Sequence, residues 1–182
     1  LTRYLLDELR RHGCSLPESR ILDLWETDLE LNAQGLEVWL DGRRPDLALV
    51  LGSGLGALGN EVEDARRLPY AAIPGCPEPH VAGHRGELIA GTLAGRRVLV
   101  QSVRFHGYEG HAPGVVASLV RLYSELGITT LLLTNAAGGI AAGLGPGALM
   151  LLAGHLNLMF ANPLVGPVAD GELRFPDMSE PY

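Results

Sequence analysis

Cysteine is scarce in this chain, with only Cys14 and Cys76 among 182 residues. Two thiols so far apart argue against a disulfide framework or a thiolate metal cluster, and both read as reduced bystanders. Aromatic residues make up only 5% of the chain, which provides no stacking platform. Positive charge is outweighed, 14 Lys and Arg against 21 Asp and Glu, for a net charge of −7. A nucleic-acid-binding surface would show as a basic stripe, so an anionic ligand here must be held by a few local donors. No apolar run reaches the roughly 18 residues that a membrane-spanning helix needs. The amino end is charged and helix-like and lacks a signal-peptide pattern. These absences predict a soluble cytoplasmic protein of one or at most two domains.

Glycine, by contrast, is abundant at 24 residues, as tight strand-to-loop turns and close backbone approaches require. Three apolar runs each end in small or polar residues. Leu47 to Leu51 reads as a buried parallel strand and opens into Gly52-Ser53-Gly54-Leu55-Gly56. Such a loop can turn consecutive backbone N–H groups on an anion, with the Ser53 hydroxyl as a further donor; the plainer alternative is a tight strand-to-helix turn. Arg97 to Val103 reads as another strand and empties into RFHGYEGH, Arg104 to His111. Alternation along an extended segment puts Arg104, His106 and Tyr108 on one side and Phe105 on the other. Glu109 is close enough to orient the His106 imidazole. A solvated loop with one salt bridge would not call for the glycines around these groups. The third run, LLLTNAAGG from Leu131 to Gly139, reads as a core strand that brings bare backbone to a ligand.

Gly54, Gly56 and Gly59 also satisfy G-x-G-x-x-G, but a dinucleotide site needs a following helix and a second parallel strand. The prolines of Ala65 to Pro79 break any such strand, which disfavours a nicotinamide cofactor. Between the motifs, the pattern predicts a helix over Thr2 to His12. A second helix starts near Pro17 and runs through Leu40, with Ile21, Leu24, Trp25, Leu29, Leu36 and Trp39 on its apolar side. Ile73 to His84 reads as a surface loop of the kind that forms lids. A strand over Gly86 to Leu93 leads to a hairpin at Ala94-Gly95. Pro113 to Leu126 is a helix with Val116, Leu119, Val120, Tyr123 and Leu126 as its buried face. Leu149 to Leu152 fits a strand, and a last helix starts near Met178.

Taken together, these stretches resemble the trimeric purine nucleoside phosphorylases. The matching pieces are LGSGLG (Leu51 to Gly56), GHRGELIAG (Gly83 to Gly91), RFHGYEGH, TNAAGG (Thr134 to Gly139), HLNL and NPLVGP (His155 to Leu158, Asn162 to Pro167) and RFPDMSEPY (Arg174 to Tyr182), in the family's order. The resemblance implies an α/β fold with a mixed, partly barrel-like central sheet flanked by helices. It implies a single domain over 1–182, incomplete at its C-terminus, with 1–41 as an N-terminal helical segment. The implied reaction is phosphorolysis of purine (deoxy)ribonucleosides to free base and pentose 1-phosphate, in purine salvage, with orthophosphate as co-substrate and no cofactor or metal.

Carried over by residue, the resemblance places Ser53, Arg104, His106 and the backbone N–H of Ala136 around phosphate, with His84 closing over it. His106, Glu109 and His84 are its catalytic group, Glu109 orienting His106. Tyr108 faces the pentose, Asn135, Ala137 and Gly138 line the sugar and base pocket, and Phe175 is lent across a subunit boundary, which implies a homotrimer. The chain departs from the family's pattern at Ala148 and Gly154, where aspartates are usual. Family chains also run beyond the equivalent of Tyr182, and that part supplies the residues gripping the purine. A truncated, non-catalytic oligomeric or phosphate-binding remnant of the family is the alternative.

Overall fold

The structure, a computed structural model, describes residues 29–73, 76–77, 86–166, 168 and 171–182. It divides into two compact units, Leu1–Ala136 and Ala137–Tyr182. The helix expected at Thr2 to His12 and the first part of the second lie outside the described residues.

The first unit is built on a five-stranded sheet. Its strands are β1 (Leu47–Val50), β2 (Glu63–Pro69), β3 (Glu87–Leu93), β4 (Arg96–Gln101) and β5 (Leu131–Leu133), in the order β2-β3-β4-β1-β5. β2, β3 and β4 form an antiparallel meander. β1 then pairs in parallel with β4 on one side and β5 on the other. The mixed sheet follows from the sequence: the β3–β4 connection is the two-residue turn Ala94-Gly95, both with positive φ, which suits the right-handed twist of a hairpin. The parallel pairs need long crossovers, and one carries helix α2 (Pro113–Glu125).

Side-chain alternation splits the core in two. Ala48, Val50, Leu88, Ala90 and Leu99 point to one face, where they join Leu36, Trp39 and Leu40 of helix α1 (Leu29–Leu40) and Leu119, Leu122 and Tyr123 of α2. Leu49, Leu51, Ile89, Val98 and Val100 point to the other, against Val62. Burying each such aliphatic side chain is worth roughly 1.5–3 kcal/mol.

Three expectations change. The stretch after Gly59 does hold a strand, β2, but it runs antiparallel to β3 and follows a 3-10 turn (Gly56–Asn60) rather than a helix. Arg67 ties it in place, donating to Glu87 Oε1 at 2.7 Å and to the Gly59 carbonyl at 2.8 Å. α2 is rotated from its predicted phase: Val116 and Val120 are exposed, while Ser118 and Leu122 are buried. The Ser118 hydroxyl can face inward because it donates to the Val115 carbonyl at 2.7 Å. Leu131 to Leu133 is not a core strand; as the edge of the described sheet, its leucines are 37–53% exposed.

The second unit has neither helix nor strand among its described residues, so the expected strand at Leu149 to Leu152 and helix near Met178 are absent. Local polar contacts organise it instead. Tyr182 Oη and His155 Nδ1 are 2.9 Å apart, Arg174 donates to the Gly166 carbonyl at 2.7 Å, and Asp177 accepts from both the backbone and hydroxyl of Ser179. The two Ser179 hydrogen bonds hold the Asp177 carboxyl below the usual carboxylate range.

Candidate active site

The parallel register aligns Val50, Gln101 and Leu133 at one level. The carboxyl ends of β4, β1 and β5 therefore emerge together, with the three loops singled out in the sequence. Open α/β sheets bind ligands at such an edge. A cleft of about 100 Å³ lies there, lined by Gly52, Ser53, Gly54, Arg104, His106 and Tyr108 among others. This space suits a small anion better than a nucleoside.

The glycine loop is fixed by Thr134, which sequence reasoning did not single out. Its Oγ1 accepts from the Gly52 N–H at 2.7 Å and donates to the Val50 carbonyl at 2.9 Å, while its own N–H donates to the same carbonyl at 3.0 Å. Approach is so close that a Cβ on Gly52 would stand 2.5 Å from the Thr134 carbonyl oxygen and 2.7 Å from Asn135 Cα. Ser53 is thus presented on a loop clamped at its root to β1 and β5.

Arg104 follows β4 and is half-buried, with no carboxylate partner among the described residues. Every one of the 14 basic residues in the chain is an arginine, and Arg104 is the cation that lines this cleft. Burying an unpaired guanidinium costs energy that an incoming anion offsets. Arg104, His106 and Tyr108 line the cleft and Phe105 is buried, but the extended alternation ends at His106, and Tyr108 enters from the 3-10 turn that follows. Tyr108 stacks on His106, ring centroids 4.6 Å apart and planes at 19°.

Glu109 reaches back from a 3-10 turn (Gly107–Glu109). Its Oε2 accepts the backbone N–H of His106 at 3.0 Å and lies 3.5 Å from the ring Nδ1. The carboxylate therefore holds the main chain of His106 directly and its imidazole more loosely. Oε2 is also 3.8 Å from His111 Nε2.

Of the other residues singled out, Asn135 abuts Gly52 through its Cα, and its Nδ2 donates to the Ala136 carbonyl at 3.3 Å. Ala136 is exposed on the next residue. Ala137, Gly138 and Phe175 belong to the second unit, where Phe175 is exposed. His84 lies outside the described residues. No helix among the described residues is long and apolar enough to cross a membrane.

A parallel-strand edge that offers an unpaired guanidinium, a glycine loop with a hydroxyl and an imidazole can bind an oxyanion and hold it against an electrophile. Residues 46–182 match the Phosphorylase superfamily, and the chain belongs to that superfamily. Within it the chain is similar to the purine nucleoside phosphorylases. It is 48% identical over 140 residues to purine nucleoside phosphorylase 1 of Geobacillus stearothermophilus, covering 76% of this chain and 51% of that one. To the purine nucleoside phosphorylase of Bos taurus it is 42% identical over 144 residues, 77% of this chain and 50% of the other. A solved purine nucleoside phosphorylase in complex with ribose-1-phosphate superposes with a TM-score of 0.76 at 38% identity, over 84% of this chain and 57% of that one. The Schistosoma mansoni enzyme in complex with inosine gives 0.75 at 37%, over 83% and 54%. The chain thus spans about half the length of these relatives.

Proposed function

We propose that the full-length protein is a purine nucleoside phosphorylase, a pentosyltransferase that acts without a cofactor and uses orthophosphate as co-substrate. The observation that carries this reading is Arg104, half-buried and unpaired among the described residues, beside Ser53 and His106 at the carboxyl ends of three parallel strands. The relatives' purine nucleoside phosphorylase activity supports the same reading.

In the proposed reaction, a phosphate oxygen attacks C1′ of the nucleoside as the bond from C1′ to the purine nitrogen breaks, and the base leaves with that electron pair. The sugar passes through oxocarbenium character, so the site must hold an anion against a developing cation. Arg104 suits this because its planar fork pairs with two phosphate oxygens, and Ser53, His106 and the Ala136 N–H would complete the cradle. His84 would close over it, and Glu109 would orient His106. Tyr108 would face the pentose, with Asn135, Ala137 and Gly138 along the sugar and base. Phe175 would serve a neighbouring subunit, in a homotrimer working in the cytoplasm.

The test is phosphate-dependent release of hypoxanthine from inosine, with adenosine in parallel, using full-length protein of verified mass. Release that requires phosphate is expected. Saturable phosphate binding with no phosphorolysis of any purine nucleoside would overturn the catalytic reading and leave a phosphate-binding protein of the superfamily.

A further inference from the structure

Beneath the cleft, on the helix side of the sheet, three buried polar side chains meet in an otherwise apolar cluster. Gln101 and Ser118 are the two buried polar residues outside the tyrosines among the described residues, at 4% and 7% exposure. Ser118 is satisfied within its own helix, whereas every contact of Gln101 leads elsewhere. The Tyr123 hydroxyl, from α2, donates to Gln101 Oε1 at 2.9 Å. Gln101 Nε2 donates to the Val103 carbonyl at 3.1 Å. The Tyr70 hydroxyl, from a 3-10 turn over Tyr70–Ala72, donates to that same carbonyl at 2.6 Å. Tyr70 and Tyr123 are 1% and 2% exposed.

The carbonyl on which they converge immediately precedes Arg104. Main-chain bonding to the sheet ends one residue earlier, where Ser102 exchanges its N–H and Oγ with the carbonyl and N–H of Glu87, each at 3.1 Å. On the far side of Arg104, Phe105 is buried with its ring 5.3 Å from that of Tyr70. Arg104 therefore sits between two anchored points, a carbonyl held by two donors and a buried ring, on a segment outside the ladder.

We propose that Tyr70, Gln101 and Tyr123 form a positioning network that sets the backbone at Val103 and, through it, the aim of the Arg104 guanidinium at phosphate. The proposal rests on the phosphorylase reading above. Folding alone does not call for these groups: phenylalanine and an aliphatic residue would fill the same volume, and each buried polar group is costly unless bonded. Burial pushes both phenols well above the ordinary tyrosine range, so they remain protonated donors. Orientation is set too, because the Tyr123 hydroxyl accounts for the Gln101 oxygen and leaves its NH₂ for Val103.

The experiment compares Tyr70→Phe, Gln101→Met and Tyr123→Phe with wild type in the full-length protein. It reads the KM for phosphate and for inosine, kcat, the phosphate Kd by calorimetry, and Tm. Tyr70→Phe and Gln101→Met are expected to raise the phosphate KM and Kd about tenfold, short of the roughly hundredfold of a full 1 Å misplacement. Inosine KM stays within about twofold, and Tyr123→Phe, one step further from the carbonyl, has a smaller effect in the same direction. In an Arg104→Ala background the Tyr70→Phe effect on phosphate Kd is expected to vanish, as for residues acting through one another. Lower Tm with unchanged phosphate Kd, or effects that add to that of Arg104→Ala, would overturn the network. If wild type binds phosphate without turning over nucleoside, the Kd comparison still decides the network while the catalytic reading fails. If it binds no phosphate, both fail.

Discussion

Arg104→Ala is expected to lower kcat/KM for phosphorolysis by the full-length protein about 100- to 10,000-fold, with the loss concentrated in the phosphate term. The size follows from the site. A bidentate charge-assisted pair comprises two bonds of about 1.5–3 kcal/mol each, and each 1.4 kcal/mol is a factor of about ten. No second lysine or arginine among the described cleft residues can take over, and the chain's net charge of −7 gives no general attraction for an anion. Arg104→Lys keeps the charge but loses the fork, so it should retain about ten times more activity than Arg104→Ala. Steady-state kinetics at fixed ionic strength, varying phosphate and then inosine, read both effects. A phosphate KM within twofold of wild type in Arg104→Ala would remove this residue from the anion site.

Gly52→Ala should be nearly as damaging, for a steric reason. The new Cβ would meet the Thr134 carbonyl oxygen at 2.5 Å and Asn135 Cα at 2.7 Å. Both are backbone atoms of the adjoining strand exit, so no flexible side-chain tip can move aside. Relief requires the glycine loop and the segment after β5 to separate, which breaks the 2.7 Å bond from the Gly52 N–H to Thr134 Oγ1. Overpacking of this kind costs about 1–3 kcal/mol, or a Tm lower by roughly 2–12 °C at this chain length. Activity should fall about 100-fold, because Ser53 moves with the loop. Gly114 in α2 has open space around it, so Gly114→Ala serves as the control, with Tm unchanged or slightly higher. Equal melting and equal turnover in Gly52→Ala would contradict the close approach described here.

What could be read in the sequence divides along physical lines. Continuous apolar runs ending in small or polar residues marked β1 and β4 and their loops, because a strand buried on both faces leaves an uninterrupted signal. The Ala94-Gly95 hairpin was legible because it lies between two apolar runs. β2 was not: of Glu63 to Pro69 only Leu68 is buried, and a polar strand at a sheet edge shows neither an apolar run nor clean alternation. The phase of α2 was missed because Ser118, a polar residue, faces inward on a local hydrogen bond while two valines face out. At the site, Arg104 and His106 share a side because extended backbone alternates, whereas Tyr108 reaches the cleft from the 3-10 turn. The direct hold of Glu109 on the His106 backbone depends on a 3-10 turn that spacing does not reveal. Thr134 and Gln101 act through three-dimensional convergence: TNAAGG marked the stretch around Thr134 but not its hold on Gly52, and nothing in the sequence marked Gln101.

The mixed sheet has a consequence in time as well as in space. β2, β3 and β4 follow one another along the chain, and Leu88 pairs with Gln101 across a two-residue turn. The partners that create the cleft are distant: Leu47 meets Val98, and Ala48 meets Leu131. Closing long loops before any contact is gained slows such pairings. The meander is therefore expected to form early and the anion cradle last, so amides of Leu88 to Ala90 should gain hydrogen-exchange protection during refolding before those of Ala48 to Val50. Simultaneous protection would show that the sheet forms as one cooperative unit. A chain released too soon would carry a finished hairpin and no binding edge, so any anion held at this edge would bind at the last folding step rather than at the nucleus.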